Sequence, residues 1–142
     1  MPQALRTLRA VQWSMLAIIV AFPILGKVAV PRVHPVDPTI NYLFSTLAVA
    51  IIGIIFVVRR TLVFRAAESL AAHPDDIISL NQWRTGYLAT YALCEALSLF
   101  GLVLRFLGCS LQQCVPFYIG GFVLLIFFRP RVPRARDFTA RA

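Results

Sequence analysis

The chain has 142 residues, 59% of them hydrophobic and only 14% charged, with a mean hydropathy of +0.77, whereas globular domains carry about 25% charged residues. That much apolar sequence exceeds what a soluble core of this size can hide, and runs such as LAVAIIGIIFVV lack the alternation of a β-barrel strand; the expectation is one all-α integral membrane domain. The formal charge of +8 sits at the ends of apolar runs, which is the footprint of topology and anionic headgroups, and with no reader motif visible no nucleic-acid partner is expected.

Arg6 and Arg9 precede an apolar run from Val11 to Gly26, which Lys27 interrupts and which continues through Val33. The layout matches the charged and apolar regions of a signal peptide, but VAVPR around Ala29 is a poor small-x-small cleavage site. The segment is read as a first transmembrane helix or signal anchor over about 8–30, with Pro23 as a kink and Lys27 snorkelling to the interface. Pro31, Pro35 and Pro38 then break the chain, and Asp37 or Thr39 is placed to cap the next helix.

The second helix is predicted over 40–58, with Tyr42, Ser45 and Thr46 in its first turns, Gly53 as a point of close backbone approach, and Arg59 and Arg60 at its end. From Thr61 the sequence becomes amphipathic: TLVFRAAESLAA either lies in the headgroup plane as a short cytoplasmic segment or extends the second helix. Pro74 suits the first turn of a new helix, with Asp75 and Asp76 complementing its positive end, so the third helix is predicted over 75–107. A fourth is predicted over 113–128. From Val115 to Phe128 it spans only ~21 Å, so it must borrow residues from Leu111 onward or thin the bilayer. The basic, proline-broken tail over 129–142 is expected to be disordered.

Eleven of the fourteen basic residues fall in the N-terminal flank, the middle loop and the tail, leaving Lys27, Arg32 and Arg105 for the other side. The positive-inside rule then gives four spans with both termini and the middle loop in the cytoplasm. The resulting architecture is a four-transmembrane-helix bundle joined through small residues: Gly53, Gly86, Ala89, Ala96, Gly101, Gly120 and Gly121. The two halves show no internal repeat of the kind that marks inverted-repeat transporters.

One stretch stands out chemically. Arg84 and Arg105 bracket ~31 Å of helix, about one bilayer core, and Glu95 falls close to its middle. Tyr87, Tyr91, Glu95 and Ser98 share a stripe at spacings of four, four and three. Glu95 is therefore either a protonatable or cation-binding site or a neutral, hydrogen-bonded glue between helices, with Tyr91, Ser45 and Thr46 as candidate partners. Lys27 lies too far out in depth to be a good ion-pair partner. Cys109 and Cys114 lie on the predicted non-cytoplasmic side as a candidate disulfide or two free thiols; their Cys-x4-Cys spacing is unlike a redox-active Cys-x-x-Cys pair. Cys94 reads as a small packing residue. His34 and His73 sit on opposite sides and cannot share a metal or haem. No cofactor, metal site or enzyme constellation is visible in the sequence.

Over Tyr91 to Gly108, YALCEALSLFGLVLRFLG is similar to the carboxylate-bearing helix of the rotary ATPase proteolipid, subunit c, in which Ala-x-x-Glu-Ala followed by Phe-Gly-Leu-Val carries the ion-binding glutamate. That resemblance implies Glu95 as an ion site. The whole chain resembles small uncharacterised four-helix bacterial membrane proteins, whose third helix reads Ala-Leu-x-Glu-Ala and whose fourth ends in Arg-Pro, here Arg129 and Pro130. This second resemblance implies a fold and a location, the bacterial inner membrane. Two functions remain open: a structural, interaction or accessory subunit, acting in a homo-oligomer or larger complex, and an ion-coupled element using Glu95.

Overall fold

The computed structural model describes residues 2–29, 35–73 and 75–130, and all regular structure among them is helical. The predicted tail from residue 131 onward, Arg32, His34 and Pro74 lie outside the described residues. Three helical rods, Gln3–Ala29, Pro38–Ala72 and Ile77–Phe106, are long and apolar enough to cross a membrane, and a shorter apolar helix comes after them.

The first helix, α1 (Pro2–Ala29), begins ahead of the predicted start. Pro2 is tolerated in a first turn, where an amide would be unpaired anyway. Ala4 and Leu8, four apart, are both buried, so the turns bearing Arg6 and Arg9 are amphipathic rather than a solvated flank.

Helix α2 (Pro38–Val58) is capped by Asp37, whose carboxylate accepts a hydrogen bond from the Thr39 amide at 2.9 Å. That bond holds the Asp37 carboxyl below its ordinary range. The helix does not stop at Arg59. A π-helical turn, Arg59–Phe64, carries it into α3 (Arg65–Ala72), so the amphipathic stretch extends the second helix. Ala66 and Leu70 of α3 are buried while Arg65 and Glu68 are exposed.

Helix α4 (Ile77–Phe106) starts two residues later than predicted because Asp76 caps it from an extended conformation; its carboxylate accepts from the Ile78 amide at 3.0 Å and the Ser79 hydroxyl at 2.5 Å. Gly108 closes its far end with φ of 105°. There the amides of Gly108 and Cys109 return to the carbonyls of Arg105 and Leu104, a Schellman motif that a residue with a Cβ would strain. Helix α5 (Leu111–Phe127) takes its extra turn from Leu111 onward, where the Gln113 side chain accepts from the Ser110 amide at 3.1 Å. Its 17 residues give ~25 Å of helix.

Contacts along α4 set the threading. Gly26 of α1 lies on Arg105, so α1 and α4 run parallel. Phe44 stacks edge-on against Phe100 while Val63 meets Gly86, so α2 runs opposite to α4; Phe117 and Gly121 of α5 meet Gly101 and Ser98 in the same antiparallel sense. The start of α1, the end of α3, the start of α4 and the end of α5 therefore share one end of the bundle. Helix α4 is its centre: half of its most apolar window is buried, against 17% for α1 and α2.

Small residues pack unevenly. A Cβ on Gly121 would strike the Ser98 hydroxyl and stand 2.6 Å from the Cys94 carbonyl; one on Gly86 would stand 2.7 Å from Val63, and one on Gly101 3.0 Å from the Cys114 carbonyl. Gly120 makes only an ordinary contact with Leu97, at 3.4 Å. Gly53, expected at a close approach, has nothing within 4 Å of its Cβ position, because the side of α2 that meets α4 is the one bearing Ala48 and Ile55. Ala89 and Ala96 are half-buried.

Candidate functional site

The stripe read along the third helix divides when α4 packs. Tyr87, Tyr91 and Ser98 turn into the core, with Tyr91 and Ser98 fully enclosed. Trp83, Tyr87 and Tyr91 form a ladder of tilted rings, with centroids 5.0 Å and then 6.0 Å apart. Ser98 donates to the carbonyl of Cys94 on its own helix at 3.4 Å and faces Gly121.

Glu95 remains half-buried at the margin. It lies about 20° around the helix from exposed Leu88 and about 20° the other way from buried Leu102. Among the described residues no hydrogen bond or ion pair reaches it. The expected partners are engaged elsewhere or turned away: Ser45 donates to Asn41 O at 2.8 Å and Thr46 to Tyr42 O at 2.9 Å, both within α2. The Tyr91 hydroxyl is buried without a partner among the described residues. Lys27 is exposed, one residue beyond the Gly26–Arg105 contact, and therefore ~15 Å along the bundle from the level of Glu95.

Comparison with family models, curated proteins and solved structures gives no match. The chain's own geometry is therefore the guide to what it does.

Two arginines read as topological markers have structural work in the bundle. Arg59, at the start of the π-turn, places its guanidinium 4.1 Å from the Phe128 ring centroid, 5.4 Å from Tyr87 and 5.9 Å from Phe64. It thus joins the α2 rod to α4 and the end of α5 through cation–π contacts with Tyr87 and Phe128. Arg105, 94% shielded from solvent, donates from Nε to Gly26 O at 3.3 Å and from Nη1 to Cys109 O at 2.9 Å. It ties the end of α1 to the α4–α5 turn by satisfying carbonyls that helix ends leave open. Gln12 does similar work at the other end, donating to Leu125 O at 2.8 Å. A signal was present in the sequence for Arg105, an arginine within the otherwise apolar run from Leu99 to Leu107, but not for the direction in which Arg59 or Gln12 points.

Cys109 and Cys114 are both free, buried thiols at the α4–α5 turn, as is Cys94 within α4. The histidine described, His73, caps the end of α3 with its backbone amide bonded to Ser69 O at 2.8 Å, and its ring is exposed.

Proposed function

We propose that this chain is a multi-pass protein of a bacterial cytoplasmic membrane, both termini inside, acting as a non-catalytic interaction or accessory subunit through the Glu95 edge of α4. The observation that carries the reading is Glu95 itself: half-buried, beside exposed Leu88 and Leu99, and without a hydrogen-bond or ion-pair partner among the described residues. A carboxyl at that depth in hydrocarbon is costly, and a donor from a second copy or a partner helix relieves the cost. The orientation rests on charge: Arg6, Arg9, Arg59, Arg60, Arg65, Arg84 and Arg129 all gather at the bundle end that holds the start of α1 and the end of α5.

A second reading has the same observation in its favour. A carboxyl at a subunit seam is also where an ion-coupled element would exchange protons, with Glu95 as the titrating group. Against it, the polar residues that would continue a path, Tyr91 and Ser98, are enclosed in the core.

Light-scattering mass in mild detergent, carbodiimide labelling of Glu95 and proton flux in liposomes separate the two. The subunit reading expects an oligomer that Glu95→Gln weakens, slow labelling within the assembled form, and no flux. Flux that disappears with Glu95→Gln would replace it with the ion-coupled reading. A monomer with unchanged mass, stability and labelling in wild type and variant would remove both.

A further inference from the structure

A groove lies away from Glu95, on the opposite side of α1. It measures about 680 Å³ and runs between α1 and α5, with Leu16, Val20 and Phe122 along its walls and Arg9 and Arg129 at one end. Its floor is closed by the Gln12 side chain, held to Leu125 O at 2.8 Å. Trp13 is 69% exposed on its lip.

We propose that this groove binds one acyl chain of an anionic phospholipid, with the lipid phosphate between Arg9 and Arg129. Three features select that occupant. The first is charge: two exposed arginines line the groove end, and among the described residues no carboxylate lines it and neither arginine has a hydrogen bond or ion pair. Planar guanidinium forks match phosphate oxygens in bidentate fashion. The second is length. Arg9 to Val20 spans ~16 Å of helix, close to the ~15 Å hydrocarbon depth of one leaflet, so a chain whose headgroup meets the arginines ends near the midplane. The third is the belt residue: Trp13 sits one turn inside Arg9, where an amphipathic ring marks the boundary between headgroup and acyl chain. Basic pockets between helices on the cytoplasmic side have this form where they hold anionic lipids.

The proposal rests on membrane insertion, and the test separates the two. The full-length protein is reconstituted in vesicles containing brominated-chain phosphatidylglycerol or brominated-chain phosphatidylcholine, and Trp13 emission is monitored. Trp83, only 1% exposed, contributes a background that Trp13→Phe isolates. Each arginine near an anionic surface contributes about fivefold, so the anionic lipid should reach half-maximal quenching at roughly 25-fold lower mole fraction. Arg9→Gln with Arg129→Gln should bring the two curves together while leaving quenching by both lipids in place. Coincident curves for the wild type, or a preference surviving the double substitution, would overturn the site and leave insertion standing. Trp13 quenched by aqueous iodide and by neither lipid would overturn insertion as well. Trp13 shielded from iodide and both lipids would mean that the C-terminal segment or a second copy fills the groove, and the lipid proposal would fall.

Discussion

Replacing Gly121 by alanine tests the packing that holds α4 and α5 together. Two effects oppose each other. Alanine in place of a helical glycine gains about 1 kcal/mol of intrinsic propensity. Against it, the new methyl would stand 2.6 Å from the Cys94 carbonyl and overlap the Ser98 hydroxyl. Ser98 can rotate away, but the Cys94 carbonyl belongs to the backbone of α4, so ordinary contact at 3.4 Å requires α5 to retreat by ~0.8 Å. Retreat loosens the neighbouring contacts of Gly101 with Cys114 and Phe117, and overpacking of this kind costs roughly 1–3 kcal/mol at the site alone. Together with the loosened contacts the expected net effect is a destabilisation of about 2 kcal/mol, or a melting temperature lower by roughly 5 °C. The protein carries its own reporters, since Cys94, Cys109 and Cys114 are free and buried: a thiol-reactive fluorophore tracks unfolding in detergent without engineered labelling sites. Ser98→Ala in the Gly121→Ala background should restore only part of the loss, because the carbonyl contact remains. Gly53→Ala is the control; with open space at its Cβ position it should be neutral or stabilising by up to about 1 kcal/mol. A Gly121→Ala protein that melts at or above the wild-type temperature would refute the close approach of α4 and α5.

Arg105→Met should cost about 2 kcal/mol, because it strands the Gly26 and Cys109 carbonyls that the guanidinium now satisfies. Burial pushes the Cys109 thiol above its ordinary pKa and slows its alkylation, so faster labelling of Cys109 below the melting transition is the matching readout. Arg59→Lys removes a planar group from the Phe128 ring while keeping the charge, and should destabilise by roughly 1–2 kcal/mol with a change in the emission of Trp83, which stacks on Tyr87. The Ser79 hydroxyl and the Ile78 amide hold the Asp76 carboxyl below its ordinary pKa of 3.8. Its cap is therefore fully present above pH 3.8 and is lost as pH falls through the lower folded value, so Asp76→Ala should lower stability at neutral pH and flatten the acid limb of the melting curve.

Hydropathy reveals the long helices in the sequence, and local chemistry narrows their caps: of the two candidates Asp37 and Thr39 the structure uses Asp37, so α2 starts two residues ahead of the predicted 40, and of the two ways to lengthen the short last helix α5 takes the residues from Leu111. The failures have one physical origin. Hydropathy assigns polarity to a position along the axis but not a direction around it. Arg59 and Arg60 look equivalent as markers of a helix end, yet the π-turn leaves Arg60 exposed and lays Arg59 over Phe128. Arg6 and Arg9 look like a flank, but Leu8 between them reaches the same core cluster as Leu125 and Phe128, and that tertiary contact extends α1. For Glu95 the wheel places Tyr91 and Ser98 on the correct side, but only the positions of the neighbouring helices decide where the buried face ends.

Those positions also determine what a partner at Glu95 would have to touch. Around α4, Gly101, Ser98 and Leu97 face α5, Gly86 faces the second rod through Val63, and Leu102 and Arg105 face α1 through Gly26. Glu95 is next to Leu102 on the wheel, at the outer edge of the α1 seam and away from α2. The α4–α5 pair is fixed by glycine contacts and the ends of the bundle by Arg59 and Arg105, so the Glu95 edge is carried on the most firmly held part of the fold. A helix that covers the carboxyl must lie along Leu88, Leu99 and Val103 of α4, all exposed, and against the flank of α1. The proposed lipid groove occupies the other flank of α1, toward α5. One helix therefore separates the two surfaces, and a lipid in the groove would bear on the same α1 that a partner at Glu95 must contact.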